Sequence, residues 1–332
     1  MTNKQKILAV VGPTASGKTS LSIALARELG GEILSCDSMQ IYRDMDIGTA
    51  KPTVEEQDGV PHHLIDIAAA DEPFSCAEYA AMAKEKIAEI ASRGKLPIFC
   101  GGTGLYLDGV LRGGNSYEKT ETDPEYRAAL ERMAAEQGAE AVHAMLAAVD
   151  PEAAQATHPN NIKRVIRALE IYHTTGVTKT ELDRRSVQVE SEYDALVLGL
   201  RFPNTEELYE RINMRVDMMI EQGLLDECRR LMDAGVFERS ATAAQAIGYK
   251  ELLAHLRGEE SFDAAVERLK IATRRYAKRQ ITWFSAKDYV EWIQADECGA
   301  RRAEEAILAD ALEIVKAKWS GGLPFGAKRT FD

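Results

Sequence analysis

The stretch Ile7–Leu29, ILAVVGPTASGKTSLSIALAREL, decides the fold. It opens on an apolar run, Ile7 to Val11, passes through Gly12-Pro13-Thr14-Ala15-Ser16-Gly17-Lys18-Thr19, and then takes up the period of an amphipathic helix. That order is strand, loop, helix. The loop fits G-x-x-x-x-G-K-[ST], and both flanks that give this pattern its meaning are present. Glycine lets the backbone wind until successive N–H groups converge on phosphate oxygens, and the following helix turns the positive end of its dipole toward the same point. Lys18 adds a full charge, and Thr19 a hydroxyl able to hold Mg2+. An α/β chain that grips a phosphate compound is predicted, with the compound left open.

Length and composition set the frame around this segment. With 332 residues the chain is long enough for about two domains, and its charged fraction of 28% suits a soluble protein. No apolar run approaches the roughly 20 residues of a membrane span. Met1 to Lys6 lead straight into a strand rather than a signal peptide, so the cytosol is the expected compartment. The five cysteines lack C-x-x-C spacing and suggest neither a zinc site nor a disulfide framework. A net charge of −12 argues against a general polyanion binder but allows a local basic face.

Gly31–Cys36 reads as a second strand, with Asp37-Ser38-Met39-Gln40 at its carboxyl end. In an open parallel sheet, ligands sit at that edge. Asp37 could take a proton from a nucleophile, orient Mg2+, or cap the next segment. Ile41–Pro52 looks like a loop close to a ligand. Asp71 to Ser92 returns to helix, with Tyr79, Met82, Ile87 and Ile90 spaced for one buried face. Lys95–Cys100 is the next strand, and Gly101-Gly102-Thr103-Gly104 leaves its end, so that Thr103 could present its hydroxyl into the same crevice.

From Gly113 to Thr122 the chain is polar and turn-rich, which marks a boundary. Asp123-Pro124 starts a helix, continued from Tyr126 to Leu146. A further helix, Asn161 to Tyr172, sets Lys163, Arg164 and Arg167 against Val165, Ile166 and Leu169; a solvated face is its simplest use. Residues 114–190 are therefore expected to form a helical insertion, with 1–113 and 191–318 as a discontinuous core. Ala195–Arg201 should rejoin the sheet as a buried strand. On the helix Leu208–Ile220, Arg211 and Arg215 share one side and either enter the site or pair with neighbours. Phe262–Phe284 forms a long helix, and between Asp263 and Lys287 seven basic residues face two acidic ones. Lys270, Arg274 and Lys278 recur every four positions, as do Arg275 and Arg279, and a phosphate backbone is the obvious partner. Trp283 and Phe284 read as core anchors. One more helix follows Asp296, and residues 319–332 are expected to be a disordered polar tail.

Eight segments now stand in order: Gly12–Thr19, Asp37–Gln40, Asp46-Ile-Gly-Thr-Ala-Lys-Pro52, Pro61-His-His-Leu-Ile-Asp66, Gly101–Tyr106, Tyr209–Arg215, Gln245-Ala246-Ile247-Gly248-Tyr249-Lys250 and Arg274–Phe284. Together they resemble the tRNA dimethylallyltransferases, or tRNA isopentenyltransferases, in the compact bacterial form without a zinc finger. The resemblance implies a P-loop NTPase-like parallel sheet flanked by helices, with an inserted small helical domain. It implies transfer of a dimethylallyl group from dimethylallyl diphosphate to the exocyclic amine of the adenosine 3′ of the anticodon, in tRNAs reading codons that begin with U. Asp37 would be the base, and Lys18, Thr19 with Mg2+, and Arg215 would meet the charge on the leaving diphosphate held by Gly12–Thr19. No ATP would be needed. By the same resemblance tRNA would touch Asp37, Ser38, Met39 and Gln40, Thr103, Arg127, Lys163 to Arg167 and Gln245 to Lys250. A monomer is expected. The rivals are a P-loop small-molecule kinase and a nucleotide switch that binds tRNA or protein without chemistry.

Overall fold

The computed structural model describes residues 4–112, 123–188, 191–297 and 299–320; the boundary expected at Gly113–Thr122 and nearly all of the expected tail lie outside them. The chain divides into two compact units. The larger takes in the chain up to Phe74, Tyr79–Val110 and everything from Tyr193, and the smaller Ser75–Glu78 with Leu111–Glu192.

The larger unit is built on β1 (Gln5–Val11), β2 (Gly31–Ser35), β3 (His62–His63), β4 (Leu96–Gly101), β5 (Tyr193–Arg201) and β6 (Val290–Gln294). Their order is β3-β2-β4-β1-β5-β6, and every pairing is parallel. β1 lies between β4 and β5, with Val10 opposite both Cys100 and Leu198. A central strand covered on both faces must be apolar throughout, which is why Ile7–Val11 is unbroken and buried. A hairpin, β7 (Asp296–Glu297) and β8 (Ala300–Arg301), stands apart from the sheet.

Helix α1 (Lys18–Leu29) follows β1 directly, with Gly17 as its N-cap at φ 89. Beyond the last strand pairs, Cys36 N donates to Cys100 O at 2.8 Å and Thr103 N to Cys36 O at 3.1 Å. The ends of β2 and β4 are thereby held side by side next to β1. α2 (Cys76–Ser92) starts later than its apolar period suggested, because Ser75 and Glu78 form a capping box: Glu78 accepts from Ser75 N and Ser75 Oγ from Glu78 N. Tyr79, Ile87 and Ile90 are buried on it, whereas Met82 is exposed, a correction to the expected face. α3 (Gly104–Arg112) leaves the second glycine turn.

The smaller unit contains α4 (Pro124–Gln137), α5 (Ala139–Val149), α6 (Pro151–Ala156), α7 (Ile162–Thr175) and α8 (Lys179–Gln188). Asp123 caps α4 by accepting from Glu125 N and Tyr126 N. The single helix expected from Tyr126 to Leu146 is two, because Gly138 sits at φ 89, ψ 160, where a helix cannot continue. Leu130, Val142, Leu146, Val165, Ile166 and Leu169 form the core of this unit.

Back in the larger unit come α9 (Thr205–Glu221), α10 (Leu224–Asp233), the short α11 (Val236–Arg239) and α12 (Ala241–Ala244), α13 (Tyr249–Leu256), α14 (Phe262–Ser285) and α15 (Glu304–Lys318). Trp319, placed in the tail by its sequence position, is buried instead: its ring packs with the core and its Nε1 donates to Asp194 at 2.9 Å. Burying so large an apolar surface outweighs fraying of the chain end. No helix among the described residues is long and apolar enough to cross a membrane.

Candidate active site

The carboxyl ends of β1, β2 and β4 open on a cavity of about 320 Å³. Thr14, Ala15, Lys18 and Thr19 line it from the phosphate-type loop, and Asp37 to Gln40 line it from the end of β2. Gly12, Pro13, Ser16 and Gly17 complete the loop without facing the cavity. Asp37 Oδ1 accepts from Met39 N at 3.0 Å, which fixes the carboxylate at the start of its turn. Thr103 does not enter the cavity. Its Oγ1 accepts from Ser38 N at 3.0 Å, so it steadies the turn that carries Asp37.

Two partly buried cations share this space. Lys18 donates to Pro13 O at 3.3 Å, and Arg215 reaches the cavity from α9. Burial lowers the pKa of Lys18; the Cys100 thiol opposes that, the charge of Arg215 reinforces it and Asp37 opposes it again. Burial lowers the pKa of Arg215 as well, against the pull of Glu56 and Asp37. Both charges are thus held at a cost that an entering polyanion would relieve.

Several contributors were not legible as site residues, and Arg211, expected with Arg215 either to enter the site or to pair with neighbours, braces the loop. Gln280, buried on α14, accepts from Thr14 N at 2.9 Å and donates to Gly102 O at 3.1 Å, tying the two glycine turns together. Its signal was a lone amide on the stripe Ala277, Gln280, Phe284, all buried. Arg211 donates to Ala15 O at 2.9 Å, bracing the loop where Ala15 takes φ 61. Arg301 packs on Gly17 and pairs with Glu304 at 2.8 Å. Tyr276 lines the cavity; burial and then the charge of Asp37 raise its pKa, so its hydroxyl stays protonated and can donate.

Gln245, Ala246, Ile247, Gly248 and Lys250 line the cavity, but Tyr249 is fully buried and its ring reaches no ligand there. The basic face of α14 is also redistributed. Lys270 pairs with Asp217 at 2.7 Å, and Arg274 donates to Asn213 at 2.6 Å and pairs with Glu267. Arg275, Lys278 and Arg279 are exposed, as is Arg268, which pairs with Glu260 at 3.0 Å, and Arg279 also lines the cavity.

In the smaller unit, Lys163 and Arg164 are exposed, whereas Val165 and Ile166, both expected to touch tRNA, face the core because they carry the apolar stripe of α7. Arg127 and Arg167 both bond Glu170, at 3.1 and 2.5 Å from Arg127 and 2.7 Å from Arg167. Burial would raise the pKa of Glu170, but the two guanidinium groups outweigh it and hold the carboxylate below its usual range. Its contribution to stability is therefore present above that range and lost as pH falls through the lowered value. Arg127→Ala should cost roughly 2 kcal/mol of stability at neutral pH, because Arg167 still covers one oxygen; urea unfolding checks this.

A family model described as IPP transferase matches residues 40–287. The chain belongs to the IPP transferase family. The match takes in Gln40, Thr103, Arg215 and all of α14. Among IPP transferases, the tRNA dimethylallyltransferase of Bacillus velezensis is 55% identical over 291 residues, 87% of this chain and 90% of the relative. That of Bacillus subtilis is 52% identical over 87% of this chain and 91% of its own length. The structure of the tRNA isopentenylpyrophosphate transferase from Bacillus halodurans superposes with a TM-score of 0.71 at 44% identity, covering 96% of this chain and 98% of that one. A eukaryotic dimethylallyltransferase acting on tRNA gives 0.78 at 29% identity, over 94% and 80%.

Proposed function

We infer that this IPP transferase moves a dimethylallyl group from dimethylallyl diphosphate to the N6 amine of tRNA adenosine in the cavity at Asp37, and releases diphosphate. The acceptor is the adenosine 3′-adjacent to the anticodon, position 37, in tRNAs reading codons that begin with U. The observation that carries this reading is that the partly buried Lys18 and Arg215 share one cavity with a carboxylate, Asp37. An allylic C–O bond breaks as a C–N bond forms, so negative charge grows on the departing diphosphate. Loop amides, Lys18 and Arg215 stabilise that charge where it develops. The amine is a weak nucleophile until it loses a proton, and Asp37 takes it. Because the amine is hidden in stacked bases, the nucleotide is turned out into the cavity.

Among the described residues no cluster of three or more His, Cys, Asp or Glu could cage a metal. One hydroxyl, from Thr19, with a carboxylate nearby and substrate oxygens, instead suits Mg2+, which keeps much of its shell from phosphates and water. Bound there by Thr19, the ion would neutralise diphosphate charge. Ser38 to Gln40, Gln245 to Gly248 and Lys250 form the tRNA-facing wall. Within the smaller unit, taken by itself, the exposed Lys163 and Arg164 are the cations that would meet tRNA phosphates.

Incubation with radiolabelled dimethylallyl diphosphate, Mg2+ and unmodified tRNA tests the reading. Label should enter adenosine without ATP. ATP turnover with a small acceptor, or tRNA binding with no transfer, would favour the kinase or the switch. Removing charge at Arg275 and Lys278 together should weaken tRNA binding and reduce its salt slope by about one to two, leaving diphosphate affinity within twofold. Equal slopes in variant and parent would make that face a merely solvated one.

A further inference from the structure

Glu227 lies on α10, buried to 3% exposure, and belongs to none of the eight motif segments. Its Oε2 accepts from Asp46 N at 3.1 Å and Ile47 N at 2.9 Å, and its Oε1 from Gly48 N at 3.0 Å and the Tyr249 hydroxyl at 2.7 Å. Three consecutive amides converging on one anion form a nest of the kind that elsewhere binds phosphate. Here a side chain of the protein fills it. Four donors meet one carboxylate, which satisfies an ion that would otherwise be costly to bury.

Both partners of this carboxylate lead to the cavity. On one side Gly48, Thr49 and Ala50 line it, and the carbonyls of Thr49 and Ala50 accept from Gln40 Nε2 at 3.2 and 3.1 Å. Gln40 Oε1 in turn accepts from Ser35 Oγ at 2.8 Å, beside the turn that carries Asp37. On the other side Tyr249 directly follows Gln245–Gly248. The two segments also touch: a Cβ on Gly48 would come within 2.5 Å of the Tyr249 ring, so only glycine fits. Among the described residues, the hydrogen-bond partners of Glu227 are Asp46, Ile47, Gly48 and Tyr249, and none belongs to the diphosphate loop.

We propose that Glu227 is a positioning residue for the tRNA substrate: its carboxylate, seated on the Asp46–Gly48 amides and the Tyr249 hydroxyl, holds the adenosine-receiving wall in register with Asp37. The proposal rests on the transferase reading of this cavity. A general structural role would harm both substrates alike, whereas a positioning role separates them.

The test compares the full-length enzyme with Glu227→Gln and Tyr249→Phe. Glutamine keeps the shape but turns an NH2 group against backbone N–H donors, and phenylalanine deletes one donor only. KM for tRNA should rise about tenfold or more in Glu227→Gln and about two- to fivefold in Tyr249→Phe. Affinity for dimethylallyl diphosphate, measured calorimetrically, should stay within twofold in both. An unchanged KM for tRNA, or equal losses for the two substrates, overturns the proposal. If Glu227→Gln does not fold, Tyr249→Phe decides alone by the same two readouts. A parent enzyme that binds the diphosphate but never labels tRNA would instead overturn the reading of the cavity.

Discussion

An Asp37→Ala enzyme is expected to turn over about a hundredfold more slowly, or worse, while its affinity for tRNA stays within a few fold. The size follows from the role, since general bases contribute on the order of 10²–10⁴ in rate and act only while the proton moves. The carboxylate also accepts from Met39 N, so alanine could relax the turn as well as remove the base. Asp37→Asn separates these effects, because an amide oxygen still accepts that bond. Both variants should lose turnover alike under single-turnover conditions. An asparagine enzyme near parental rate would remove Asp37 from the chemistry and leave it only a turn-forming part.

The second large effect belongs to Lys18. Lys18→Met should cost about 10²–10³ in turnover, the usual loss when one donor to a developing oxyanion is deleted. It should also change a pH dependence whose sign is fixed by the direction of the shift. Because burial lowers the pKa of Lys18, its charged form exists below that lowered value and is lost as pH rises through it. Inhibition by pyrophosphate should therefore weaken on the alkaline side at a pH below the ordinary lysine value of about 10.4. In Lys18→Met that alkaline loss should vanish and inhibition be weak throughout. An identical alkaline profile in both proteins would assign the titration to another group.

The parts of the fold that are locally encoded were legible. β1, the loop and α1 announce themselves because a buried central strand must be apolar and a phosphate loop must be glycine-rich, and β2, β4 and β5 follow the same pattern. β6 was not read, since Val290–Gln294 is a five-residue edge strand whose polar and apolar residues keep no clean period of two, and β3 has only two residues to show a period. The reach of Asp37 toward the loop was legible from topology, as strand ends in a parallel sheet share one crevice. Gln280 and Glu227 act through backbone groups far along the chain, and no local pattern marks such a partner. Arg211 was marked by its spacing from Arg215, but not its partner, the Ala15 carbonyl. The basic face of α14 was half legible: helical spacing showed the charges, but Asp217, which neutralises Lys270, and Asn213, which accepts from Arg274, come from α9.

The central claim is that the leaving anion and the attacking amine meet between residues 12–19 and Asp37. The most direct measurement is a crystal structure of the parent protein with pyrophosphate, Mg2+ and an unmodified anticodon stem-loop. Pyrophosphate should lie on the loop amides and Lys18, with the N6 of the turned-out adenosine about 2.6–3.2 Å from an Asp37 oxygen. An adenosine still stacked in the loop, or an amine held by other groups with Asp37 out of reach, would contradict it.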